Sequence, residues 1–353
     1  MERKTLVVSK NAISEELKRS TKTRWITAII AILMVLPVIF LGEWPMFVFI
    51  IAVLGICIWE ILHCTGQKYP PDVYVFMYLF AFLLTFWPII RGFISACGNG
   101  FTNWTLYFEF DSIYLSVFVL AAMLFFFFFI VVLHSYFTVR DACFFFTMVV
   151  FISLGLQGIM YIKYAPLYFT RYILNDPAPY FSVYNCFQST ILFIFVCLSS
   201  FINDAGAYFV GIYFGKHKMN PRISPKKTWE GFFGGIIIGT AICFTFGMIF
   251  AAVGLPMLPA YNGSSVFDIQ HWYNILLLSI TLPLLGTLGD FVFSSIKRYY
   301  EIKDFGHIMP GHGGVLDRLD SLIFVFVAAA IIVSMITRFS LGVNFLLWGP
   351  FVY

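Results

Sequence analysis

The chain has 353 residues, of which 60% are hydrophobic, 20% aromatic and only 11% charged, and its formal net charge is +4. Soluble domains carry about 25% charged residues, so this composition excludes an ordinary soluble enzyme and leaves little room for a separate soluble domain. The seven cysteines form no CxxC pair, which argues against a zinc site or a disulfide framework.

Apolar stretches long enough to cross a bilayer, about 20 residues each, recur along the whole chain. The pattern predicts an all-α polytopic membrane protein with about nine transmembrane helices and a cytoplasmic N-terminus. The predicted spans are residues 25–42, 44–62, 73–90, 112–133, 142–162, 190–214, 231–253, 274–296 and 319–337.

The distribution of basic residues sets the predicted orientation. With a cytoplasmic N-terminus, 18 of the 22 Lys and Arg residues fall on the cytoplasmic side. Two N-x-[ST] sequons, at Asn103 and Asn262, fall on the opposite side. With the charged N-terminal segment, they indicate an integral protein of the endoplasmic reticulum in a eukaryote, and a bacterial plasma membrane is the alternative.

Ionisable groups divide the chain into regions of different expected function. Residues 1–24 form a basic cytoplasmic segment, and residues 25–189 hold about five spans with few ionisable groups, which indicates a scaffold. Residues 190–353 hold about four spans and two polar cytoplasmic loops, 215–230 and 297–318. We expect the catalytic site in this C-terminal region.

Acidic residues inside the spans are costly and therefore usually functional. Asp204 and Asp290 lie within spans six and eight, and Asp320 lies at the start of span nine. Asp204 follows Asn203, and the pair is interpreted as functional, with a buried hydrogen-bonded pair as the alternative. Glu60 lies near the end of span two and is interpreted as an interfacial residue.

Helical spacing groups these acids into a candidate metal site. Asp290, Ser294 and Lys297 share one helix face, which predicts a polar stripe leading to the cytoplasmic end of span eight. Asp317 and Asp320 also share a face, and their alternative role is to complement the positive end of the helix dipole. Carboxylates beside a Lys- and Gly-rich loop are typical of a Mg²⁺ site that holds phosphates.

Basic residues in the two loops are candidate phosphate ligands. Lys226 and Lys227 lie within the segment Ser224–Thr228, beside a proline, and they suit phosphate groups. The alternative is that such cations only set topology. His312, between two glycines, is either an acid, base or phosphate donor, or a surface histidine of the loop.

With these residues in view, the segment Ser294–Asp320 resembles the signature of the CDP-diacylglycerol synthases, also called phosphatidate cytidylyltransferases. The resemblance spans roughly residues 190–337 by motif, and Met309 is a conservative departure from the pattern. The matching positions are Ser294, Lys297, Arg298, Lys303, Asp304, Pro310, His312, Gly313, Gly314, Asp317, Arg318 and Asp320, with Asn203, Asp204, Ser224, Lys226, Lys227, Thr228, Glu230 and Gly231 in the family's other segments.

The resemblance implies that the protein transfers CMP from CTP to phosphatidic acid, with Mg²⁺ as cofactor and room for a second metal ion. It implies that Asp290 and Asp317 bind the metal and that Asp320 binds or supports it. Lys226, Lys227, Lys297, Arg298, Lys303 and Arg318 would then bind the phosphates of both substrates, assisted by His312 and the glycine amides. The expected partners are CTP, phosphatidic acid and membrane lipid, with a homodimer as the family's common state and no nucleic acid.

Three alternatives remain from the sequence. The first is a CTP-dependent kinase of a polyprenol such as dolichol, which would transfer the γ-phosphate to an alcohol. The second is a cation-coupled transporter that uses Asp204 and Asp290, although the chain shows no internal repeat of the kind such transporters often have. The third is a catalytically inactive relative, against which stands the presence of every acidic and basic position of the signature.

Overall fold

The computed structural model describes residues 26–27, 29–31, 33–40, 43–98, 113–135, 137–168, 183–258, 265–311 and 313–340. Almost all of these residues are helical, as the apolar composition predicts. The helices are α1 (Ile29–Phe40), α2 (Glu43–Cys64), α3 (Pro71–Gly98), α4 (Ile113–Leu133), α5 (Val139–Tyr168), α6 (Val183–Phe214), α7 (Trp229–Ala252), α8 (Trp272–Tyr299) and α9 (Leu316–Ser340).

The prediction of an all-α polytopic membrane fold is confirmed. Within the described ranges, seven helices (α2, α3 and α5 to α9) are long and apolar enough to cross a membrane. Helices α1 and α4 lie at the first and fourth predicted spans, but the apolar stretches described there, Ile29–Phe40 and Val119–Leu133, are shorter. The count of nine spans and the orientation of the N-terminus therefore stay predictions, and both sequons lie outside the described residues.

The predicted loop 215–230 contains an antiparallel hairpin, which the sequence analysis did not predict. Its strands are β1 (Lys218–Asn220) and β2 (Ser224–Thr228), and Lys218 pairs with Thr228 while Asn220 pairs with Ser224. The backbone N–H of Ile223 donates to Asn220 Oδ1 over 3.3 Å and closes the turn. Lys and Pro are depleted in strands, so the composition of this segment hides the hairpin.

Helix α7 packs against its neighbours through a row of small residues. Gly231, Gly235, Gly239 and Gly247 recur every four or eight positions and are buried. A Cβ atom at Gly235 would lie 2.7 Å from the backbone oxygen of Asn203, so glycine is required for this approach. Small residues at this spacing let helix backbones approach closely in membranes. The row therefore holds the polar segment of α6 close to α7.

Helix α5 connects the predicted scaffold to the predicted catalytic region. It packs between α3 and α9. Gly155 and Gly158 of α5 approach Ile323 and Phe326 of α9 so closely that side chains at these glycines would overlap them. The N-terminal helices thus support α9 directly, although the division of the chain at residue 190 stays a prediction.

Candidate active site

The first part of the site joins the hairpin to the polar face of α8. Lys227 Nζ, from β2, lies 2.5 Å from Asp290 Oδ2 and 4.2 Å from the centre of the Phe291 ring. Ser294 Oγ donates to Asp290 Oδ1 over 3.1 Å, so the helical spacing places these two side chains in contact, as predicted. Both Lys227 and Asp290 are partly exposed, so an incoming phosphate can reach them.

The second part of the site is a buried ion cluster between α8 and α9. Lys297 does not join Asp290 in the predicted polar stripe, because its side chain points to α9 instead. Its Nζ lies 3.0 Å from Asp317 Oδ1 and 3.6 Å from Asp320 Oδ2, with the Phe305 ring centre 5.5 Å away. Burying a lysine is tolerated when carboxylates pair with it, which explains the position of Lys297 in the last turn of a membrane helix.

Besides pairing with Lys297, Asp317 accepts hydrogen bonds from the loop before α9. Its Oδ2 accepts hydrogen bonds from the backbone N–H groups of Phe305, over 2.8 Å, and Gly314, over 2.9 Å. Only 2% of this side chain is exposed. The dipole role that the sequence left open for Asp317 is therefore present, since this acid lies in the first turn of α9.

Asn203 and Asp204 have different environments. Asn203 is buried, and its Nδ2 donates to Thr287 Oγ1 on α8 over 2.8 Å. Its Oδ1 is buried without a partner among the described residues. Asp204 is exposed on the neighbouring face of α6. The expected hydrogen-bonded role thus applies to Asn203, and the functional role of Asp204 stays a prediction.

Glu60 is a site residue that the sequence interpretation missed. Its side chain is fully buried within the protein, and its contacts with the start of α9 were not predicted. Glu60 Oε1 accepts the N–H of Val315 over 2.9 Å, and Oε2 accepts the N–H of Leu316 over 2.8 Å. Its acidic character inside a span was the available signal, because buried acids in membranes are usually functional.

A cavity of about 660 Å³ lies beside the start of α9. The segment that forms it turns back on itself through reciprocal hydrogen bonds between the backbones of Met309 and Gly313, 2.9 and 3.1 Å long. Gly311 and Gly313 have φ angles of 79° and 86°, which favour glycine. The lining residues are Lys303, Asp304, His307, Met309, Pro310, Gly311, Gly313 and Arg318. A polar, cationic cavity of this size suits a polyphosphate.

The remaining candidate residues lie around these two clusters. Arg298 Nε donates to the backbone oxygen of Ile223 over 3.3 Å, which links α8 to the hairpin. Lys226 is exposed and has no side-chain partner in the part of the chain that the structure describes. Thr228 is buried, and its hydroxyl accepts the N–H of Gly231 at the start of α7. Ser224 is half-buried in β2, and His312 lies outside the described residues.

The acidic residues of the site can bind a metal ion only when the phosphates of the substrate supply further ligands. Across the described ranges, no group of three or more His, Cys, Asp or Glu side chains is arranged to hold one. Lys227 and Lys297 occupy the carboxylates instead, and both oxygens of Asp317 have donors. Mg²⁺ is commonly bound by one or two carboxylates plus waters and phosphate oxygens, so Asp290 and Asp320 fit that mode.

Comparison with known proteins relates the chain to one family. The sequence model of the cytidylyltransferase family matches residues 22–336. A phosphatidate cytidylyltransferase of Bacillus subtilis is 29% identical over 306 residues, which cover 86% of this chain and 94% of that protein. Phosphatidate cytidylyltransferases of Staphylococcus haemolyticus and Staphylococcus saprophyticus are each 31% identical, over 86% of this chain and 95% of their own lengths.

Proposed function

This chain belongs to the cytidylyltransferase family, and from that premise we propose that it transfers CMP from CTP to phosphatidic acid, giving CDP-diacylglycerol and pyrophosphate. The observation that carries the proposal is the similarity to phosphatidate cytidylyltransferases along nearly their whole length. The chain is thus an integral membrane nucleotidyltransferase of phospholipid synthesis.

The chemistry requires that two anionic reactants meet in line. An oxygen of the lipid phosphate attacks the α-phosphorus of CTP, the new P–O bond forms, and the bond to the β-phosphate oxygen breaks to release pyrophosphate. The protein must neutralise charge and orient both reactants, which is the main source of catalysis in phosphate chemistry. No covalent protein intermediate is needed.

We assign the triphosphate of CTP to the cavity beside α9. Lys303 and Arg318 line the cavity, and the Gly313 backbone forms part of its wall. This cavity lies between the end of α8 and the start of α9, where a water-soluble nucleotide can enter. His307 and Asp304 complete the polar lining, and His312 and Gly314 belong to the same segment of the signature.

We assign the phosphate of the lipid to the hairpin side of the site. Lys226 is exposed there, Lys227 contacts Asp290, and Arg298 reaches the turn of the hairpin. The adjoining ends of α6 and α7 carry exposed aromatic side chains, such as Tyr213 and Phe233, which suit contact with lipid. Phosphatidic acid can therefore bring its headgroup to Lys226 and Lys227 from the bilayer.

Mg²⁺ is the cofactor we propose, bound by Asp290 and Asp320, with Asp317 in support. When bound, it would neutralise negative charge on the phosphates of CTP. The helices that carry Asp290 and Asp320 approach closely at this point, since a Cβ atom at Gly289 would lie 2.9 Å from the Asp320 backbone oxygen, and this supports a common cation for the two acids. Lys227 would then release Asp290 and pair with phosphate, which a partly exposed ion pair permits.

The site is proposed to face the cytoplasm, because 18 of the 22 Lys and Arg residues lie on that side of the predicted topology. The endoplasmic reticulum stays a prediction, and the bacterial origin of the relatives supports the plasma membrane alternative. A homodimer is a further proposal, which the mass of the purified protein in detergent would test.

A labelled-nucleotide assay tests the reaction. Purified protein in detergent and phosphatidic acid micelles would receive CTP labelled in the cytidine, with Mg²⁺ present or chelated. We expect metal-dependent label in the lipid fraction. Folded protein that leaves the lipid unlabelled would contradict the proposal, and γ-labelled CTP with a polyprenol acceptor would then test the kinase alternative.

A further inference from the structure

Glu60 comes from the N-terminal half of the chain, yet its carboxylate lies at the start of α9. We propose that Glu60 is a positioning residue for the transfer reaction, because it fixes the backbone of Val315 and Leu316 and, through it, Asp317 and the wall of the CTP cavity. This inference rests on the proposed function and adds a residue to it. Glu60 lies outside the signature segment, 255 residues before Val315.

Two carboxylates share the amides at this helix start. Glu60 accepts the N–H groups of Val315 and Leu316, while Asp317 accepts that of Gly314. Three consecutive buried amides therefore each have a charged acceptor. Leu316 begins α9, and because the first N–H groups of a helix have no partner within the helix, its amide depends on such an acceptor. Removing the Glu60 carboxylate would leave two of the three amides unpaired and allow the start of α9 to shift.

The surrounding chain is shaped around the Glu60 side chain. A Cβ atom at Gly306 or at Gly314 would overlap the carboxyl group of Glu60. These two glycines flank the turn between Met309 and Gly313, so the Glu60 carboxyl group lies against the chain on both sides of that turn. Its neighbours Ile58 and Ile61 are fully buried in the core, which makes this part of α2 a rigid support.

The consequence for catalysis follows from what is attached to this backbone. Gly313, two residues before the first amide that Glu60 accepts, lines the cavity, and Asp317, next to the last one, binds Lys297. A displacement of about 1 Å in such positioning groups can cost on the order of 10²-fold in rate. Glu60 itself is buried behind this backbone, so it acts through these groups and not on substrate.

The test compares Glu60→Gln with a matched control, Asp141→Asn. Asp141 is also a buried acid at a helix start, where its Oδ2 accepts the N–H and hydroxyl of Thr138, but it contacts none of the site residues. We expect Glu60→Gln to raise the KM for CTP about tenfold, with the KM for phosphatidic acid unchanged within twofold. Asp141→Asn should change neither. Partial unfolding lowers the active fraction and thus kcat alone, so the KM for CTP separates positioning from mere stability.

Gly306→Ala provides a second variant if Glu60→Gln does not fold. It keeps the carboxylate but presses a methyl group against it, and it should also raise the KM for CTP. An unchanged KM for CTP in a folded variant, or an equal rise in Asp141→Asn, would overturn the inference. If the wild type transfers no cytidine, the proposed function fails instead, and equilibrium binding of CTP to wild type and Glu60→Gln then decides the positioning role by the same tenfold criterion.

Discussion

Lys227 Nζ lies 2.5 Å from Asp290 Oδ2 and so connects the hairpin between α6 and α7 to the polar face of α8. The two residues are 63 positions apart in the chain, and the family signature includes only the region after Asp290. Since about a quarter of each side chain is exposed, the pair can open to accept a phosphate or a cation.

Replacing Asp290 by Asn should lower kcat on the order of 10²-fold, the usual cost of removing one electrostatic group from an active site. The amide keeps the shape of the side chain but loses the charge that pairs with Lys227. The cytidine-transfer assay measures the effect, with Ser294→Ala as the control. That control loses a single hydrogen bond to Asp290, so less than a tenfold decrease is expected. Activity of Asp290→Asn within twofold of the wild type would rule out the proposed role.

Replacing Lys297 by Ala should destabilise the fold by about 3–5 kcal/mol, the typical effect of breaking a buried ion pair. Asp317 and Asp320 would then lie buried without their common cation. Unfolding in detergent, followed by circular dichroism, measures the loss. The matched control is Lys226→Ala, since Lys226 is exposed, and a surface substitution usually changes stability by no more than about 0.5 kcal/mol. Equal stability of the two variants would contradict the structural role of the buried cluster.

The two cationic regions should each bind a different substrate. Lys303→Ala is expected to raise the KM for CTP about tenfold, because a charge-assisted hydrogen bond contributes about 1.5–3 kcal/mol, and to leave the KM for phosphatidic acid unchanged. Lys226→Ala should show the reverse pattern. Initial rates with each substrate varied in turn measure both constants. If either variant raises both KM values equally, the assignment of the cavity to CTP and of the hairpin to lipid is wrong.

The residues of the site that lie close together in sequence were predictable, and those that meet across the fold were not. Helical spacing alone predicted the contact of Asp290 with Ser294. It could not show that Lys297 turns to α9, because two carboxylates there compete for its charge. Nor does spacing reveal that the amides of Phe305 and Gly314 already occupy an oxygen of Asp317.

The all-α membrane fold followed from hydropathy, whereas the hairpin and Glu60 did not. Strand pairing between β1 and β2 depends on backbone hydrogen bonds. The composition of Ser224–Thr228, with two lysines and a proline, does not predict a strand. Glu60 resembles many acids near the end of a span. Its role depends on the amides of Val315 and Leu316, whose distance from α2 only the folded chain determines.

The close approach of α6 and α7 predicts different effects for two helical glycines. Gly235→Ala should destabilise the fold by about 1–3 kcal/mol, the usual cost of overpacking, because its Cβ would lie 2.7 Å from the backbone oxygen of Asn203 and 2.9 Å from the Cβ of Ala207. The matched control is Gly55→Ala in α2, where nothing lies within 4 Å of the added atom, and alanine there should gain up to about 1 kcal/mol of helix propensity.

Thermal unfolding in detergent compares the two alanine variants. Cytidine transfer should also fall in Gly235→Ala, since any separation of α6 from α7 moves Asn203 and the adjacent Asp204 away from α8, to which Asn203 is hydrogen-bonded through Thr287. Gly55→Ala should keep the activity of the wild type. Equal unfolding temperatures for the two variants would mean that α6 and α7 do not approach as closely as the glycine row requires.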